Sequence, residues 1–258
     1  MSDLRVTGDG AVLSLLIDRE DKRNALSGEV LRGMLDAVRT VDAGGDVRVV
    51  VVSSAGQKVF CSGADLGVMT NDATGLEQHE GRGLLRDVVL AFRACPVPVL
   101  ARVQGLCLAG GVGLALGCDI VLASTAAQFG LPEVGLGLWP FMVSALLARH
   151  VSPKHAMHLM VSAERIDAEA AYGMGLVSRV LPAETFDADV DAYVQRLAAA
   201  PPVAVRLGKA AWVTAQEAPL GPALEAMQAQ LSLLTTTRDA AEGVAAFFEK
   251  RAPNYTGR

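Results

Sequence analysis

The most constraining feature of the sequence is an uncharged, glycine-rich run, GLCLAGGVGLALG, at residues 105–117. It follows VPVLARV (97–103), with Gln104 between them, and VPVLARV is a run typical of a strand that is buried on both faces. Small residues here allow a helix to begin immediately after the strand and leave its first backbone N–H groups open to a ligand. Glycine in an apolar helix also permits close helix packing, so the run alone leaves a purely structural interpretation open.

Two nucleotide-binding motifs are absent from the sequence. The dinucleotide fingerprint GxGxxG fails because Leu116 occupies the place of its third glycine. A GxxxxGK[ST] phosphate loop fails as well, since Gly208 and Lys209 are followed by Ala210 without the upstream glycine. The glycines are therefore interpreted as exposing backbone amides and not as cradling a nucleotide phosphate.

Composition and charge exclude several other classes of function. The 258 residues are 51% hydrophobic, which is enough for a substantial core, and the net charge of -5 disfavours nucleic-acid binding. No apolar run has the length of a membrane span, and the first residues lack the pattern of a secretory signal, so a cytoplasmic protein is expected. The four cysteines show no CxxC and no metal-ligand spacing, which predicts neither a disulfide nor a metal site.

Strand and helix patterns alternate along the chain, which predicts an α/β fold. LRVTG and AVLSLLID, joined by GDG, predict a hairpin, while VRVVVVSS and CDIVLAS predict further buried strands. Ser27 is a candidate N-cap for the first helix. The pattern is almost wholly helical from about residue 167, apart from VSRVLP. We expect a core over residues 1–196 and a helical region over residues 197–258.

A second segment, FCSGADL at residues 60–66, repeats the form of the glycine run. In both places a buried strand leads through a loop with small residues to the start of a helix. Two such turns are able to direct backbone amides at a single oxygen, which is the arrangement of an oxyanion hole.

Six segments, in their order along the chain, resemble the crotonase superfamily, the enoyl-CoA hydratase/isomerase family. They are RNALS (23–27), FCSGADL (60–66), VQGLCLAGGVGLALGCDI (103–120), FGLPEVGLGLWP (129–140), AAYGMGLVSRVLP (170–182) and FFEKRAPNYTGR (247–258). The resemblance implies a crotonase-like spiral of ββα units with a helical C-terminal region for trimerisation. It also implies an acyl-CoA thioester substrate, no separate cofactor because coenzyme A is part of the substrate, and a homotrimer or dimer of trimers.

The resemblance also implies roles for individual residues. Backbone amides at the positions of Ala64 and Gly110 hold the thioester oxygen in this family. The CoA contacts that it implies are Arg23, Ala25, Leu26, Ala64, Asp65 and Leu66, with Phe247 and Lys250 supplied by a neighbouring subunit. Lys250 also fits a simpler role as a cation near a helix C-terminus. Glu20 replaces the proline that often follows the family's arginine at position 19, which predicts a differently shaped CoA loop.

Hydratases of this family use two glutamates, and this chain matches only the second of them. Glu133 aligns with that second glutamate, whereas Gly113 occupies the place of the first. Glu133 follows Pro132 and is predicted in the first turn of a short helix, where a dipole-favoured surface acid is the alternative. The apolar neighbours expected to raise its pKa are Leu131, Val134, Leu136 and Leu138.

A single carboxylate beside an oxyanion hole suffices to move a proton from C2 to C4 of a 3-enoyl-CoA. Family members that are 3,2-enoyl-CoA isomerases show this one-acid arrangement, so we expect an isomerase. A hydratase and a non-catalytic acyl-CoA-binding protein are the alternatives.

Several other residues have two interpretations. Trp139 and Phe141 fit either an apolar substrate pocket or ordinary core packing. Four side chains of the loop after FCSGADL are candidates for a second acid or for a solvated loop: Asp72, Glu77, His79 and Glu80. Asp65 and Asp119 are interpreted as structural, with Asp65 in the first turn of a helix and Asp119 at a strand start.

Overall fold

The computed structural model describes residues 2–65 and 74–258, which contain ten strands and ten α-helices. The strands are β1 Leu4–Asp9, β2 Val12–Ile17, β3 Val49–Ser54, β4 Val59–Cys61, β5 Val99–Val103, β6 Leu106–Leu108, β7 Ile120–Ser124, β8 Gln128–Gly130, β9 Arg165–Asp167 and β10 Arg179–Leu181. The helices are α1 Gly28–Arg39, α2 Gly75–Ala94, α3 Gly110–Gly117, α4 Phe141–His150, α5 Pro153–Ser162, α6 Ala168–Met174, α7 Phe186–Ala198, α8 Pro202–Ala215, α9 Leu220–Leu234 and α10 Arg238–Glu249. Short 3-10 helices lie at Glu20–Lys22 and Pro132–Leu136.

Six strands form the larger sheet, in the order β1-β2-β3-β5-β7-β10. β1 and β2 are antiparallel, which confirms the predicted hairpin, and the other neighbouring strands are parallel. Every residue of β3 is buried. Burial on both faces accounts for its uninterrupted β-branched sequence, because helices and loops cover both sides of a parallel sheet.

A smaller sheet has the order β4-β6-β8-β9. β4, β6 and β8 are parallel to one another, and β9 is antiparallel to β8. Each of these strands has only three residues, too few to show an alternating pattern. This sheet is the principal element that the sequence analysis did not predict.

The two sheets are connected by a repeated strand–strand–helix unit. The chain runs β3–β4–α2, then β5–β6–α3, then β7–β8 and the 3-10 helix at Pro132–Leu136. In each unit the first strand joins the larger sheet and the second joins the smaller one. This arrangement confirms the predicted α/β spiral of ββα units.

The first helix forms as its sequence predicts. The Ser27 side chain accepts a hydrogen bond from the Val30 N–H at 3.2 Å, so Ser27 is the N-cap of α1. Such a cap typically contributes about 1 kcal/mol to stability. Helical spacing brings the apolar residues to one face, where the following are buried: Val30, Leu31, Met34, Leu35 and Val38.

The C-terminal part is helical, as predicted, with β10 as its one strand among the described residues after residue 167. Its helices expose large apolar side chains at Trp212, Leu220, Leu224, Leu231, Leu233, Val244, Phe247 and Phe248. Within the described ranges, no helix has the length and hydropathy needed to cross a bilayer. The division of the chain at residues 196 and 197 remains a prediction.

Lys209 attaches this C-terminal region to the core. Its ammonium group donates hydrogen bonds to the carbonyl oxygens of Phe92 at 2.8 Å and Val97 at 2.9 Å, and it lies 2.6 Å from Asp119 Oδ2. The same Asp119 oxygen accepts from the Val99 N–H at 2.7 Å, immediately before β7. Asp119 therefore has the structural role at a strand start that was expected, whereas the partnership of Lys209 had not been predicted.

Candidate active site

Three parallel strands of the smaller sheet bring the predicted site residues to one edge. Ala64 follows β4, Gly110 follows β6 and Glu133 follows β8. Cys107 pairs with Phe129 and Leu108 with Gly130, and the Ala109 N–H donates to the Gly130 carbonyl at 2.9 Å. The carboxyl ends of neighbouring parallel strands meet at the same edge of a sheet, which is where ligands bind in open α/β folds.

The Ala64 amide is held by the segment that follows β4. Ala64 forms an isolated parallel bridge with Leu26. The Leu26 N–H donates to the Gly63 carbonyl at 2.8 Å, and the Asp65 N–H donates to the Leu26 carbonyl at 3.1 Å. These two hydrogen bonds fix the backbone on both sides of Ala64 while its own N–H takes no part in the bridge.

The Gly110 amide lies at the N-terminus of α3, after a strained residue. Ala109 has φ 51° and ψ -126°, a conformation that costs a non-glycine residue of the order of 1–3 kcal/mol. Gly63 has φ 103°, and a Cβ there would come within 2.7 Å of the Ala109 Cβ. This close approach requires glycine at position 63, and strain beside it is consistent with a functional backbone geometry.

The Ala64 and Gly110 amides lie close together, and the described part of the chain supplies no acceptor to either. A Cβ built on Gly110 would lie 3.5 Å from the Ala64 nitrogen. Among the described residues, neither the Ala64 nor the Gly110 N–H donates to a protein oxygen. Two adjacent free amides at a helix N-terminus favour an anionic or partly anionic oxygen, because each N–H carries partial positive charge.

Gly113 lies one turn further along α3 and is enclosed by apolar side chains. A Cβ at this position would lie 3.1 Å from Val143 Cγ2 and 3.6 Å from Leu85 Cδ2. Leu85 also lies 3.7 Å from a Cβ built on Gly110. Position 113 therefore offers an apolar wall beside the two amides and no carboxylate.

Glu133 lies in the first turn of the 3-10 helix Pro132–Leu136, with Pro132 at its start as predicted. Its side chain is partly buried, and its Oε2 is buried without a hydrogen-bond partner among the described residues. Desolvation by burial raises the pKa of the Glu133 carboxyl above its ordinary value. A desolvated carboxyl group with a free oxygen and a raised pKa is suited to proton transfer.

The expected apolar surroundings of Glu133 are only partly observed. Leu131 is buried, but Val134, Leu136 and Leu138 are exposed, at 37%, 63% and 42%. Val134 and Leu136 belong to the 3-10 helix, which has no fully buried residue, and Leu138 follows its C-cap. The predicted rise in the pKa of Glu133 is observed, whereas the contribution of these three side chains to it stays a prediction.

The expected CoA segment runs directly against the Ala64 loop. Arg23 is exposed, whereas Ala25 and Leu26 are buried. The Arg23 carbonyl accepts from the Ser62 N–H at 3.2 Å, which adds a third contact between the two segments.

The position of Leu66 lies outside the described residues. The structure assigns no helix to Asp65 itself, which corrects the first-turn expectation, and its carboxylate pairs with Arg19.

Phe247 and Lys250 lie at the end of α10, where Phe247 is 78% exposed and Lys250 is a left-handed C-cap. In the part of the chain that the structure describes, no hydrogen bond or ion pair joins them to the segments around Leu26 and Ala64. Their contact with CoA in a neighbouring subunit remains a prediction.

The other candidate acids have different placements. Glu77 completes a capping box with Thr74 at the start of α2, and its pKa is lowered by the hydrogen bonds from Thr74. His79 and Glu80 are exposed on the same helix, and Asp72 lies outside the described residues. Glu77 is not suited to act as a second acid, because its carboxylate already accepts the capping hydrogen bonds from Thr74. Trp139 packs partly against the core, whereas Phe141 is 76% exposed.

Sequence reasoning missed two residues that support the site. Asn24 is fully buried at φ 52°, and its amide group donates to the carbonyls of Ala55 and Val59. Arg19 is nearly buried and contacts both Ala25 and Asp65. Asn24 lies within the RNALS segment, and Arg19 precedes Glu20, the residue that differs from the family's usual proline. Both positions therefore belong to family-like segments, although the sequence analysis assigned neither residue a role.

Comparison with known proteins identifies the family of the chain. The sequence model of the family described as enoyl-CoA hydratase/isomerase matches residues 7–258. The chain belongs to the enoyl-CoA hydratase/isomerase family. It is thus an acyl-CoA enzyme of that family, and the predicted family and crotonase-like fold are confirmed.

Relatives of known name span the whole chain. It is 35% identical to a crotonyl-CoA hydratase of Syntrophomonas wolfei, over 95% of this chain and 94% of that protein. It is 32% identical to the 2,3-dehydroadipyl-CoA hydratase of Escherichia coli, over 100% of both. The crystal structure of an enoyl-CoA hydratase from Mycobacterium smegmatis matches with a TM-score of 0.93 and 32% identity, over 98% of each chain.

Proposed function

We propose that this enzyme forms the enolate of an acyl-CoA thioester and isomerises 3-enoyl-CoA to 2-enoyl-CoA. The Ala64 and Gly110 amides hold the thioester oxygen, and Glu133 is the single acid and base. The observation that carries this proposal is the buried Oε2 of Glu133 at the strand edge that also presents the Ala64 and Gly110 amides, all three without a hydrogen-bond partner within residues 2–65 and 74–258.

The reaction requires one proton carrier. The Glu133 carboxylate takes a proton from C2, and the electron pair of that C–H bond moves into the thioester to give the enolate. The proton then returns at C4 as the double bond moves from C3–C4 to C2–C3, so the reaction is balanced without water or a separate cofactor. General acid–base catalysis typically contributes about 10²–10⁴-fold in rate, and an oxyanion donor about 10²–10³-fold.

The environment of Gly113 supports isomerisation over hydration. Addition of water needs a group that orients it and delivers its second proton, and hydratases of the family use a glutamate at this position. Here Val143 and Leu85 occupy the space around the missing side chain. An apolar wall excludes water and favours an intramolecular proton shift.

Hydration of a 2-enoyl-CoA is the second candidate function. Its support is the names of the relatives, which include a crotonyl-CoA hydratase and a 2,3-dehydroadipyl-CoA hydratase. It requires an acid other than Glu133, and the capping role of Glu77 leaves Asp72, His79 and Glu80 as the candidates from the loop named above. A non-catalytic acyl-CoA-binding protein is disfavoured because the chain retains Glu133 at the position of the family's second glutamate.

The exposed apolar side chains of the C-terminal helices support assembly with further copies of the chain. Trp212, Leu224 and Leu231 are each at least 60% exposed, as are Phe247 and Phe248. Large exposed apolar side chains in this number, all within residues 212–248, favour an interface with another chain. We infer a homotrimer or a dimer of trimers in which Phe247 and Lys250 reach the CoA bound to a neighbouring subunit.

The test is product analysis with 3-enoyl-CoA and 2-enoyl-CoA in deuterated water, by chromatography and mass spectrometry. We expect conversion of 3-enoyl-CoA to 2-enoyl-CoA with no added water, and a loss of about 10³-fold in Glu133→Gln. The matched control is Glu184→Gln, an exposed glutamate before α7, whose rate should stay within about twofold of wild type. Water addition as the main product would support the hydratase, and tight binding without any reaction would support the binding protein.

A further inference from the structure

The Arg19 side chain joins the two segments on either side of the Leu26–Ala64 bridge. Its Nη1 donates to the Ala25 carbonyl at 2.7 Å, and its Nη2 donates to Asp65 Oδ2 at 2.9 Å. Its Nε lies 2.8 Å from Asp3 Oδ2. The side chain is only 11% exposed, so these contacts are largely shielded from solvent.

These contacts close a ring around the Ala64 peptide. Ala25 and Leu26 lie on one segment and Ala64 and Asp65 on the other, joined by the backbone bridge. Arg19 connects the residue before Leu26 to the residue after Ala64. The orientation of the Ala64 N–H therefore depends on the backbone bridge and on the guanidinium group together.

We propose that Arg19 is a positioning residue for the oxyanion hole, which holds the Ala64 amide in line with the Gly110 amide through Asp65 and the Ala25 carbonyl. This inference rests on the proposed oxyanion pair, but not on which reaction follows enolate formation. Arg19 acts through the backbone and touches no substrate atom.

The chemistry of the guanidinium group explains why arginine is suited to this place. Its planar fork presents donors in fixed directions, so one side chain bridges a carbonyl oxygen and a carboxylate on two separate segments. Lysine would supply a single ammonium centre at the end of a flexible chain. A lysine at position 19 is expected to keep the ion pair with Asp65 and to lose at least one of the other contacts.

Small displacements of the Ala64 amide have a large effect on rate. An oxyanion donor acts when it lies about 2.7–3.1 Å from the developing charge. A misplacement of about 1 Å from a distant change is able to cost about 100-fold in rate. Loss of the Arg19 contacts should therefore slow enolate formation more than it weakens binding of CoA.

Arg5 supplies a matched control. Its Nε and Nη2 contact Asp18 Oδ2 at 3.0 and 2.7 Å, so it also forms an arginine–aspartate pair near β2. The Arg5 side chain is 61% exposed and its contacts do not reach the Ala64 loop. Exposed pairs of this kind contribute little to stability.

The experiment measures exchange of the C2 protons of butyryl-CoA in deuterated water, which reports enolate formation without a net reaction. The variants are Arg19→Met, Arg19→Lys, Asp65→Asn and Arg5→Met, with folding checked by circular dichroism and affinity for free CoA by calorimetry. We expect exchange to fall about 10- to 100-fold in Arg19→Met and Asp65→Asn, and less in Arg19→Lys. Affinity for free CoA should change less than the exchange rate, the pH profile should keep its midpoint, and Arg5→Met should stay within about twofold.

The outcomes separate this inference from the proposed function. If the folded wild type shows no exchange, or if Glu133→Gln exchanges as fast as the wild type, the proposed enolate site is wrong. The positioning role of Arg19 is then wrong as well. If the wild type exchanges and either folded Arg19→Met or folded Asp65→Asn retains its rate within about threefold, only the positioning role is overturned. Where Arg19→Met does not fold, Asp65→Asn decides the question by the same criterion.

Discussion

Gly113 faces Val143 across the space where a second catalytic acid would lie, and a Cβ on Gly113 would come within 3.1 Å of Val143 Cγ2. Gly113→Glu alone should lose about 1–3 kcal/mol of stability, because it adds volume and charge to a packed site. Gly113→Glu combined with Val143→Ala should recover part of this loss and hydrate 2-enoyl-CoA faster than wild type. Urea unfolding and hydration rates test both expectations, with Val143→Ala alone as the control. The account would be contradicted if the wild type hydrated 2-enoyl-CoA as fast as the double variant.

The raised pKa of Glu133 predicts the pH dependence of catalysis. The carboxylate form accepts the C2 proton, so kcat/KM should rise with pH through the pKa of this group in the free enzyme. Desolvation raises that pKa above the ordinary glutamate value of 4.5. The acid limb of the profile should therefore lie at higher pH than an ordinary carboxyl would give. A midpoint at or below the ordinary value would show that Glu133 is not the group that titrates.

Glu133 also affects stability with a definite sign. A carboxyl whose pKa is higher in the folded state stabilises the fold in its protonated form, and this contribution is lost as pH rises through the folded pKa. Glu133→Gln should therefore unfold at a higher urea concentration than wild type at neutral pH. The difference should shrink at acidic pH, where the carboxyl is protonated in both states. A variant that is less stable than wild type at neutral pH would indicate a partner for Oε2 that offsets its desolvation.

The Lys209 contacts predict a stability effect far from the active site. Lys209→Met should cost about 2–3 kcal/mol, because it leaves two carbonyl groups and the partly buried Asp119 carboxylate without their donor. Lys154→Met, at an exposed position of α5, is the control and should change stability by less than about 0.5 kcal/mol. Equilibrium unfolding measures both. Equal stability of the two variants would mean that the C-terminal helices do not depend on Lys209.

The sequence predicted the elements that have a clear hydrophobic period or cap. β3 is a continuous apolar run, and α1 begins at Ser27 and buries residues at helical spacing, so both were predicted correctly. The three-residue strands β4, β6 and β8 are too short to show a period, although they carry the site. Their pairing depends on contacts between segments that are distant along the chain, which a single sequence does not display.

The candidate site was predicted in its residue types and only partly in its environment. Glu133 was expected in the first turn of a short helix, and it lies in the first turn of the 3-10 helix Pro132–Leu136. The exposure of Leu136 and Leu138 was not expected, because both side chains are hydrophobic. Arg19 was missed because its partners, Ala25 and Asp65, are brought to it by the fold. Side chains that act through a long-range hydrogen bond leave no spacing pattern in the sequence.

The most direct test of the central claim compares two reactions of one wild-type preparation. The second-order rate constants are measured for isomerisation of 3-enoyl-CoA and for hydration of 2-enoyl-CoA of the same chain length. A single carboxylate beside the apolar wall at Gly113 predicts that isomerisation is faster by at least about 100-fold, because hydration lacks one acid–base group. Hydration as fast as isomerisation, or faster, would contradict the one-carboxylate account and would require a second acid in the site.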